Sequence, residues 1–269
     1  MGDTVKVSLE NRIARVTLNR PGAYNSLDIE LMDSFASTMC ALATDDGVRG
    51  IVITGEGKGF CAGGDLRWVS SFPDGPTAAF HQLAARLHLS VTEIRRMAKP
   101  VIAAINGPAA GAGFTLALAC DFRVMDESAF FRQAYTSSGL CIDGGGTFTL
   151  PRMVGLARSL EIAAFDEPIS AHKALEWGLV TRVCEEGRSV SEATAMALEI
   201  AGGSLHSFGL AKRLLTDSFE TSFETQLELE REGLCKCGGH PDGLEGLAAF
   251  VEKRKPDFSG GRTSSGKSS

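Results

Sequence analysis

Residues 101–121 read VIAAINGPAAGAGFTLALACD, and this stretch decides the fold. Val101–Ile105 is short, apolar and rich in β-branched residues, which is typical of a buried strand. The Asn-Gly-Pro sequence at 106–108 ends that run with turn residues. Phe114–Cys120 is small and apolar on nearly every side, which predicts a helix buried all round. We therefore expect a strand, a turn, a pair of glycines and a buried helix.

The start of this helix is a candidate binding point. The first N–H groups of a helix have no partner within the helix, and they lie at the positive end of its dipole. Gly111, Ala112 and Gly113 are small enough for an acceptor to approach these groups closely. The alternative is that the small residues only let the helix pack tightly against the strand, because glycine motifs also match by chance.

Composition excludes several classes of protein. The chain has 269 residues, a formal net charge of −6 and no apolar run of membrane-spanning length. We therefore expect neither a nucleic-acid partner nor a membrane partner. The start of the chain lacks the pattern of a signal peptide, and the seven cysteines are scattered. They predict reduced thiols in a cytoplasmic protein, and no spacing predicts a metal site.

The rest of the chain alternates strands and helices. Arg12–Leu18 and residues 48–54 have strand patterns, whereas Leu31, Phe35, Met39 and Leu42 share one helix face that Asp28 can cap. This alternation predicts an α/β fold with crossover connections. We expect a core over residues 1–200, a helical C-terminal region over 201–258 and a disordered polar tail over 259–269.

Two glycine-rich loops follow predicted strands. One contains Gly63-Gly64 and the other contains Gly111-Ala112. If both loops offer a backbone N–H to one point, they form an oxyanion hole, which stabilises an oxygen that gains negative charge. The sequence by itself shows two loops, and it does not show that they converge.

Several motifs together resemble the enoyl-CoA hydratase/isomerase (crotonase) superfamily, in the order and spacing of that family. The resemblance covers about residues 5–258. The motifs are Asn19-Arg20-Pro21 with Asn25-Ser26-Leu27, residues 59–66 (GFCAGGDL), residues 104–113 (AINGPAAGAG), Cys120-Asp121, residues 143–155 (DGGGTFTLPRMVG), residues 174–180 (ALEWGLV) and residues 250–256 (FVEKRKP).

The resemblance implies a crotonase-like ββα spiral core, with a helical C-terminal region that builds trimers, often paired into hexamers. It implies an acyl-CoA thioester as substrate, so coenzyme A belongs to the substrate and no separate cofactor is expected. The N–H groups of Gly64 and Ala112 would hold the thioester oxygen. The implied substrate contacts are Ala62, Gly63, Asp65 and Leu66 along the pantetheine and adenine, Tyr24, Asn25, Ser26 and Leu27 near the nucleotide, Tyr135 in the acyl pocket, and Phe250 and Lys253 at the adenine and phosphate end. For Lys253 an ordinary solvated charge is the alternative.

The chain departs from the hydratase pattern at two positions. Hydratases of this family use two glutamates, and this chain has Thr115 and Tyr135 in their places. Neither hydroxyl is a comparable base near neutral pH.

One carboxylate, Asp143, remains where isomerase-like branches of the superfamily carry an acid. A single carboxylate can take a proton from one carbon of an enoyl chain and return it two carbons away. The alternative is that Asp143 caps the next helix or shapes the glycine turn.

The sequence thus predicts an isomerase-like enzyme with Asp143 as its single acid/base. Three alternatives stay open. They are an enoyl-CoA hydratase with an altered water-activating group, another acyl-CoA lyase, hydrolase or dehalogenase that uses Asp143, and a non-catalytic acyl-CoA-binding trimer.

Overall fold

The computed structural model describes residues 3–258, so the tail predicted at 259–269 lies outside the described residues. The chain forms two compact units, which meet in sequence between Leu198 and Glu199. None of the helices in the described part has the length and hydropathy that a membrane crossing requires.

The first unit contains the strands. They are β1 (Val5–Glu10), β2 (Ile13–Leu18), β3 (Gly50–Gly55), β4 (Val101–Ile105), β5 (Ala109–Ala110), β6 (Phe122–Asp126), β7 (Phe130–Arg132), β8 (Ile169–Ser170) and β9 (Arg182–Cys184). One sheet has the order β1-β2-β3-β4-β6-β9, and a smaller one has the order β5-β7-β8. β1 is antiparallel to β2, and the other neighbours in the larger sheet are parallel. The crossovers between parallel strands carry the helices, as an α/β fold requires.

Helices of the first unit cover this sheet. They are α1 (Ile29–Thr44), α2 (Leu66–Ser70), α3 (Gly75–Arg96), α4 (Ala112–Ala119), α5 (Gly146–Phe165), α6 (Ala171–Glu176) and α7 (Ser189–Ala201), the last of which crosses into the second unit. Asp28 caps α1 by accepting a hydrogen bond from Leu31 N at 2.9 Å. Leu31, Phe35 and Met39 are fully buried on one face of α1, as their spacing predicts.

The centre of the core is formed by β3, β4 and α4, in which every residue is buried. Parallel strands buried on both faces are expected to be mostly apolar, and in β3 and β4 Thr54 is the one polar side chain. α4 packs so closely that a Cβ at Gly113 would lie 2.1 Å from the carbonyl oxygen of Cys61. The start of α4 is therefore held directly against the loop that follows β3.

The second unit is helical in its described part. It contains α8 (Leu205–Asp217), α9 (Phe223–Gly239) and α10 (Pro241–Glu252). Side-chain caps define where these helices begin, because Ser204, Ser222 and His240 each accept a backbone hydrogen bond from the first turn.

Candidate active site

The two glycine loops converge. Ala110 N donates to Cys61 O at 2.9 Å, and Cys61 pairs with Ala109 in a short parallel bridge. Two residues further along each loop, a Cβ at Gly63 would lie 3.2 Å from Ala112 N. Gly63 has φ of 93°, a conformation that residues with a Cβ rarely adopt. Glycine at position 63 thus permits the close approach that places both loops at one point.

Two backbone N–H groups are left unpaired at this point. Leu27 N donates to Gly63 O at 2.7 Å, so the N–H of Gly64, on the opposite side of the same trans peptide, points away from Leu27 N. Gly111 O accepts from Thr115 N in α4, so the N–H of Ala112 points out of the helix start. Within residues 3–258, neither N–H donates to a protein acceptor. The pair can therefore bind an oxygen from a ligand, and an oxyanion most strongly.

A cavity of about 640 Å³ opens beside these amides. Its walls are mostly apolar and come from α1, α3 and residues 134–143. Such a volume suits a small organic group fixed by a few polar contacts. The predicted site residues that line it are Leu27, Ala62, Gly63, Gly64, Leu66, Ala112, Tyr135 and Asp143. All of them lie in the first unit.

Asp143 brings a carboxylate to this cavity. Its Oδ1 lies 2.6 Å from Nε2 of His88, which projects from α3. The side chains of Asp143 and His88 are 37% and 55% exposed, so apolar residues do not enclose the carboxylate. The N-cap of α5 is Gly145 with no side-chain cap, so Asp143 does not cap this helix, whereas its backbone oxygen accepts from Gly146 N at 3.1 Å and so takes part in the glycine turn. Among the cavity-lining residues of the described chain, Asp143 is the only acid.

Thr115 and Tyr135 lie together behind the oxyanion site. Their hydroxyl oxygens are 3.5 Å apart, and Thr115 is also 3.3 Å from Ala112 O. Burial raises the pKa of Tyr135 to about 12, although hydrogen bonds from Thr115 and the Asp143 backbone oppose this change. Thr115 packs against the glycine turn, because a Cβ at Gly144 would lie 2.6 Å from its Oγ1. Neither hydroxyl ionises near neutral pH in this environment.

Asp65 and Arg20 support the loop that carries Gly64. Asp65 caps α2 by accepting from the N–H groups of Arg67 and Trp68. Burial alone would raise the pKa of Asp65, but the Trp68 N–H and the Arg20 guanidinium, at 2.9 Å, hold it below its ordinary value. Arg20 also pairs with Asp28 at 2.9 Å. Asp65 therefore acts on the shape of the loop rather than on the cavity, which it does not line.

The other predicted substrate contacts include Tyr24, Asn25, Ser26 and Lys253. Asn25 is fully buried and donates to Gly59 O at 2.8 Å, and Ser26 is buried beside it, whereas Tyr24 is half exposed. Lys253 follows α10 in the second unit and is exposed, with φ of 56°. The substrate-binding roles of these residues stay predictions.

Residues that sequence reasoning missed also line or adjoin the cavity. His88 is one of them, and its partner Asp143 is 55 positions away in the chain. His81, two turns before His88 on α3, lines the cavity, and so does the exposed Cys141. The only available signal was the spacing of seven between His81 and His88, which places both on one side of α3.

The fold and site together define an α/β protein with a two-amide oxyanion site and one carboxylate. The chain matches the family model described as enoyl-CoA hydratase/isomerase over residues 8–261. It is 36% identical over 253 residues to 1,2-epoxyphenylacetyl-CoA isomerase of Escherichia coli (strain K12), covering 94% of this chain and 97% of that one. It is 34% identical to 4-chlorobenzoyl coenzyme A dehalogenase-2 of an Arthrobacter species, with coverage of 93% and 91%.

A solved structure shows the same architecture. The crystal structure of an enoyl-CoA hydratase from Polaromonas sp. JS666 superposes with a TM-score of 0.90 at 36% identity, covering 94% of this chain and 98% of that one. The chain therefore belongs to the enoyl-CoA hydratase/isomerase (crotonase) family. The family resemblance and the crotonase-like α/β fold expected from the sequence are both confirmed.

Proposed function

We propose that the protein is an acyl-CoA isomerase in which Asp143 moves a proton between two carbons of the acyl group. The observation that carries this proposal is the single carboxylate, Asp143, in the cavity that the N–H groups of Gly64 and Ala112 adjoin. The substrate class is an enoyl-CoA thioester, and the reaction is a shift of its double bond.

The chemistry follows from the two amides. A thioester oxygen that accepts hydrogen bonds from Gly64 and Ala112 draws electron density from the acyl chain, which acidifies the C–H bond at the α-carbon. Asp143 takes that proton, and the electron pair passes into a dienolate whose oxygen stays on the amides. Asp143 then returns a proton to the γ-carbon, and the double bond is left between the α- and β-carbons. The same steps run in reverse, so one acid/base group suffices.

Positions 115 and 135 favour an isomerase over a hydratase. Activation of water needs a second base, and Thr115 and Tyr135 hold hydroxyls rather than carboxylates at these positions. With its pKa raised to about 12 by burial, Tyr135 is a hydrogen-bond donor at neutral pH and not a base.

We further propose that the predicted contacts bind the coenzyme A part. Residues 62–66 would border the pantetheine, the Tyr24–Leu27 segment the nucleotide, and Lys253 with Phe250 the phosphate end. The proposal of a trimer or hexamer is supported by large apolar side chains that the second unit leaves exposed. These are Leu215, Phe219, Phe223, Leu234, Leu247, Phe250 and Val251.

A second candidate reaction is hydrolytic dehalogenation of an aryl-CoA, favoured by the contact between His88 and Asp143. In this reaction Asp143 attacks the ring carbon, and halide leaves with the bonding electron pair. His88 then takes a proton from water, and the resulting hydroxide attacks the carbonyl carbon of the aryl ester. The bond from that carbon to the aryl oxygen breaks, the aryl oxide takes the proton from His88, and Asp143 is restored as a carboxylate. The similarity to a 4-chlorobenzoyl-CoA dehalogenase supports this candidate.

A panel of three thioesters distinguishes these reactions. The purified full chain is incubated separately with a 3-enoyl-CoA, a 2-enoyl-CoA and 4-chlorobenzoyl-CoA. Isomerisation predicts a rise in conjugated-thioester absorbance with the first and little change with the others. Loss of absorbance with the 2-enoyl substrate means hydration, and chloride release from the third means dehalogenation. Either of these results without any rise with the 3-enoyl substrate contradicts the isomerase proposal.

A further inference from the structure

We propose that His88 is a positioning residue that relays protons between Asp143 and bulk water. The proton that Asp143 removes from the acyl group then exchanges with solvent before a proton is returned. This inference rests on the proposed function, because it concerns the same carboxylate.

The geometry of the pair supports a relay. His88 Nε2 lies 2.6 Å from Asp143 Oδ1, which is a short hydrogen bond whose donor depends on the tautomer of the ring. Asp143 Oδ2 accepts no hydrogen bond from the described residues, so it is available to the substrate. The His88 side chain is 55% exposed, so its ring also reaches solvent. One imidazole therefore contacts the proposed base on one side and water on the other.

The proton balance of the relay is simple. The relay uses the tautomer of His88 that carries its proton on Nδ1, so that Nε2 can accept. After Asp143 has taken the substrate proton, the carboxylic acid gives a proton to Nε2, and the imidazolium then loses the proton on Nδ1 to water. Asp143 is again a carboxylate, and the reverse path reloads it with a proton from solvent. An imidazole can do this because one of its ring nitrogens can accept a proton while the other donates one. Nothing is oxidised or reduced, and water is the only other reactant.

A purely stabilising role explains the pair less well. Both side chains are substantially exposed, and ion pairs between exposed groups contribute little to stability. The pair also links α3 to the turn before α5, where it fixes the direction of the only acid in the described cavity lining. A residue that holds the base and opens it to water fits this position.

The test measures hydrogen exchange, which needs enolate formation but no isomerisation. Butanoyl-CoA is incubated with the full chain in D₂O, and deuterium at the α-carbon is followed by NMR. The variants are His88→Gln, which keeps a polar donor but cannot pass a proton through, and Asp143→Asn. His172→Gln is the matched control, because His172 is exposed on α6 and does not line the cavity. The same proteins then convert a 3-enoyl-CoA in D₂O, and the deuterium content of the product is measured.

We expect the wild type and His172→Gln to exchange the α-hydrogens and to give a deuterated isomerisation product. His88→Gln should exchange at least about tenfold more slowly, while its isomerised product keeps the original protium. Asp143→Asn should do neither. Melting temperatures of all variants show that the differences are not caused by unfolding.

Two results separate failure of the relay from failure of the proposed function. If the wild type isomerises with protium retained, or if His88→Gln exchanges as fast as wild type, the relay is wrong and the isomerase proposal stands. If the wild type neither exchanges nor isomerises, both are wrong.

Discussion

Gly63→Ala should disable the oxyanion site while most of the fold survives. Gly63 has φ of 93°, and a Cβ there would lie 2.9 Å from Ala110 O and 3.2 Å from Ala112 N. Both contacts are with backbone atoms, so neither neighbour can rotate away. A left-handed backbone costs a residue with a Cβ about 1–2 kcal/mol.

The size of the effect follows from these contacts. The Cβ must move by roughly 0.5 Å from Ala110 O to reach an ordinary contact distance. That movement falls on the peptide groups around Ala112, whose N–H is one of the two proposed donors. Loss of one oxyanion donor lowers kcat about 10²–10³-fold, or about 2.7–4 kcal/mol. The strain lowers the free energy of unfolding by about 1–2 kcal/mol. For a domain of this size, the Tm falls by about 2–8 °C.

The assay is steady-state turnover of a 3-enoyl-CoA together with thermal unfolding. Gly22→Ala is the matched control, because a Cβ at Gly22 meets nothing within 4 Å. We expect the Gly63 variant to lose about 10²-fold in kcat and the control to behave as wild type. A Gly63 variant with a lower Tm and an unchanged kcat would refute the assignment of Ala112 N–H as a donor to the transition state.

Three further predictions concern groups around the site. Burial raises the pKa of Tyr135 to about 12, above the unfolded value of about 10. The contribution of the neutral phenol to folding stability is therefore complete below about pH 10 and is lost as pH rises towards about 12. Tyr135→Phe should therefore flatten the loss of stability in urea melts over that range. Burial raises the pKa of the Cys61 thiol to about 12, so peptide mapping after iodoacetamide treatment near pH 8 should find the exposed Cys141 alkylated and Cys61 untouched. Asp65→Asn, which breaks the pair with Arg20, should cost about 1 kcal/mol at neutral pH. Because the folded pKa of Asp65 is depressed, that difference should shrink as pH falls below about 3.9, and equal losses at both pH values would contradict this.

The central elements of the fold were predictable because their residues repeat a simple pattern. The apolar run Val101–Ile105 is β4 with the same bounds, and α4 (Ala112–Ala119) overlaps the predicted helix Phe114–Cys120 but begins two residues earlier. α1 is capped by Asp28 as expected. In these elements local propensity and burial favour the same structure.

Several elements were missed, and two of them show the physical reason. β1 (Val5–Glu10) is an edge strand that is exposed along most of its length. Burial therefore does not distinguish this strand from a surface loop. The start of α5 was also not predicted, because the helix begins at Gly146 and runs through Pro151, with a non-helical Gly155 at φ 77°. Glycine and proline suggest a loop locally, and tertiary packing overrides that preference.

The loops of the site could be predicted from the sequence, whereas the contacts between residues far apart in the chain could not. Gly64 and Ala112 could be named from their motifs, but their convergence depends on the pairing of Cys61 with Ala109. The contact of His88 with Asp143 joins residues 55 positions apart, and no local pattern indicates such a pair.

The most direct test of the account compares binding and turnover in Asp143→Asn. Turnover of a 3-enoyl-CoA and the Kd of a non-reactive acyl-CoA are measured for this variant and for wild type. The account predicts that kcat falls about 10²–10⁴-fold while the Kd stays within a few-fold, because Asp143 moves a proton and does not hold the thioester. An asparagine variant that isomerises at the wild-type rate would show that the proton is moved by another group, and the account would be wrong.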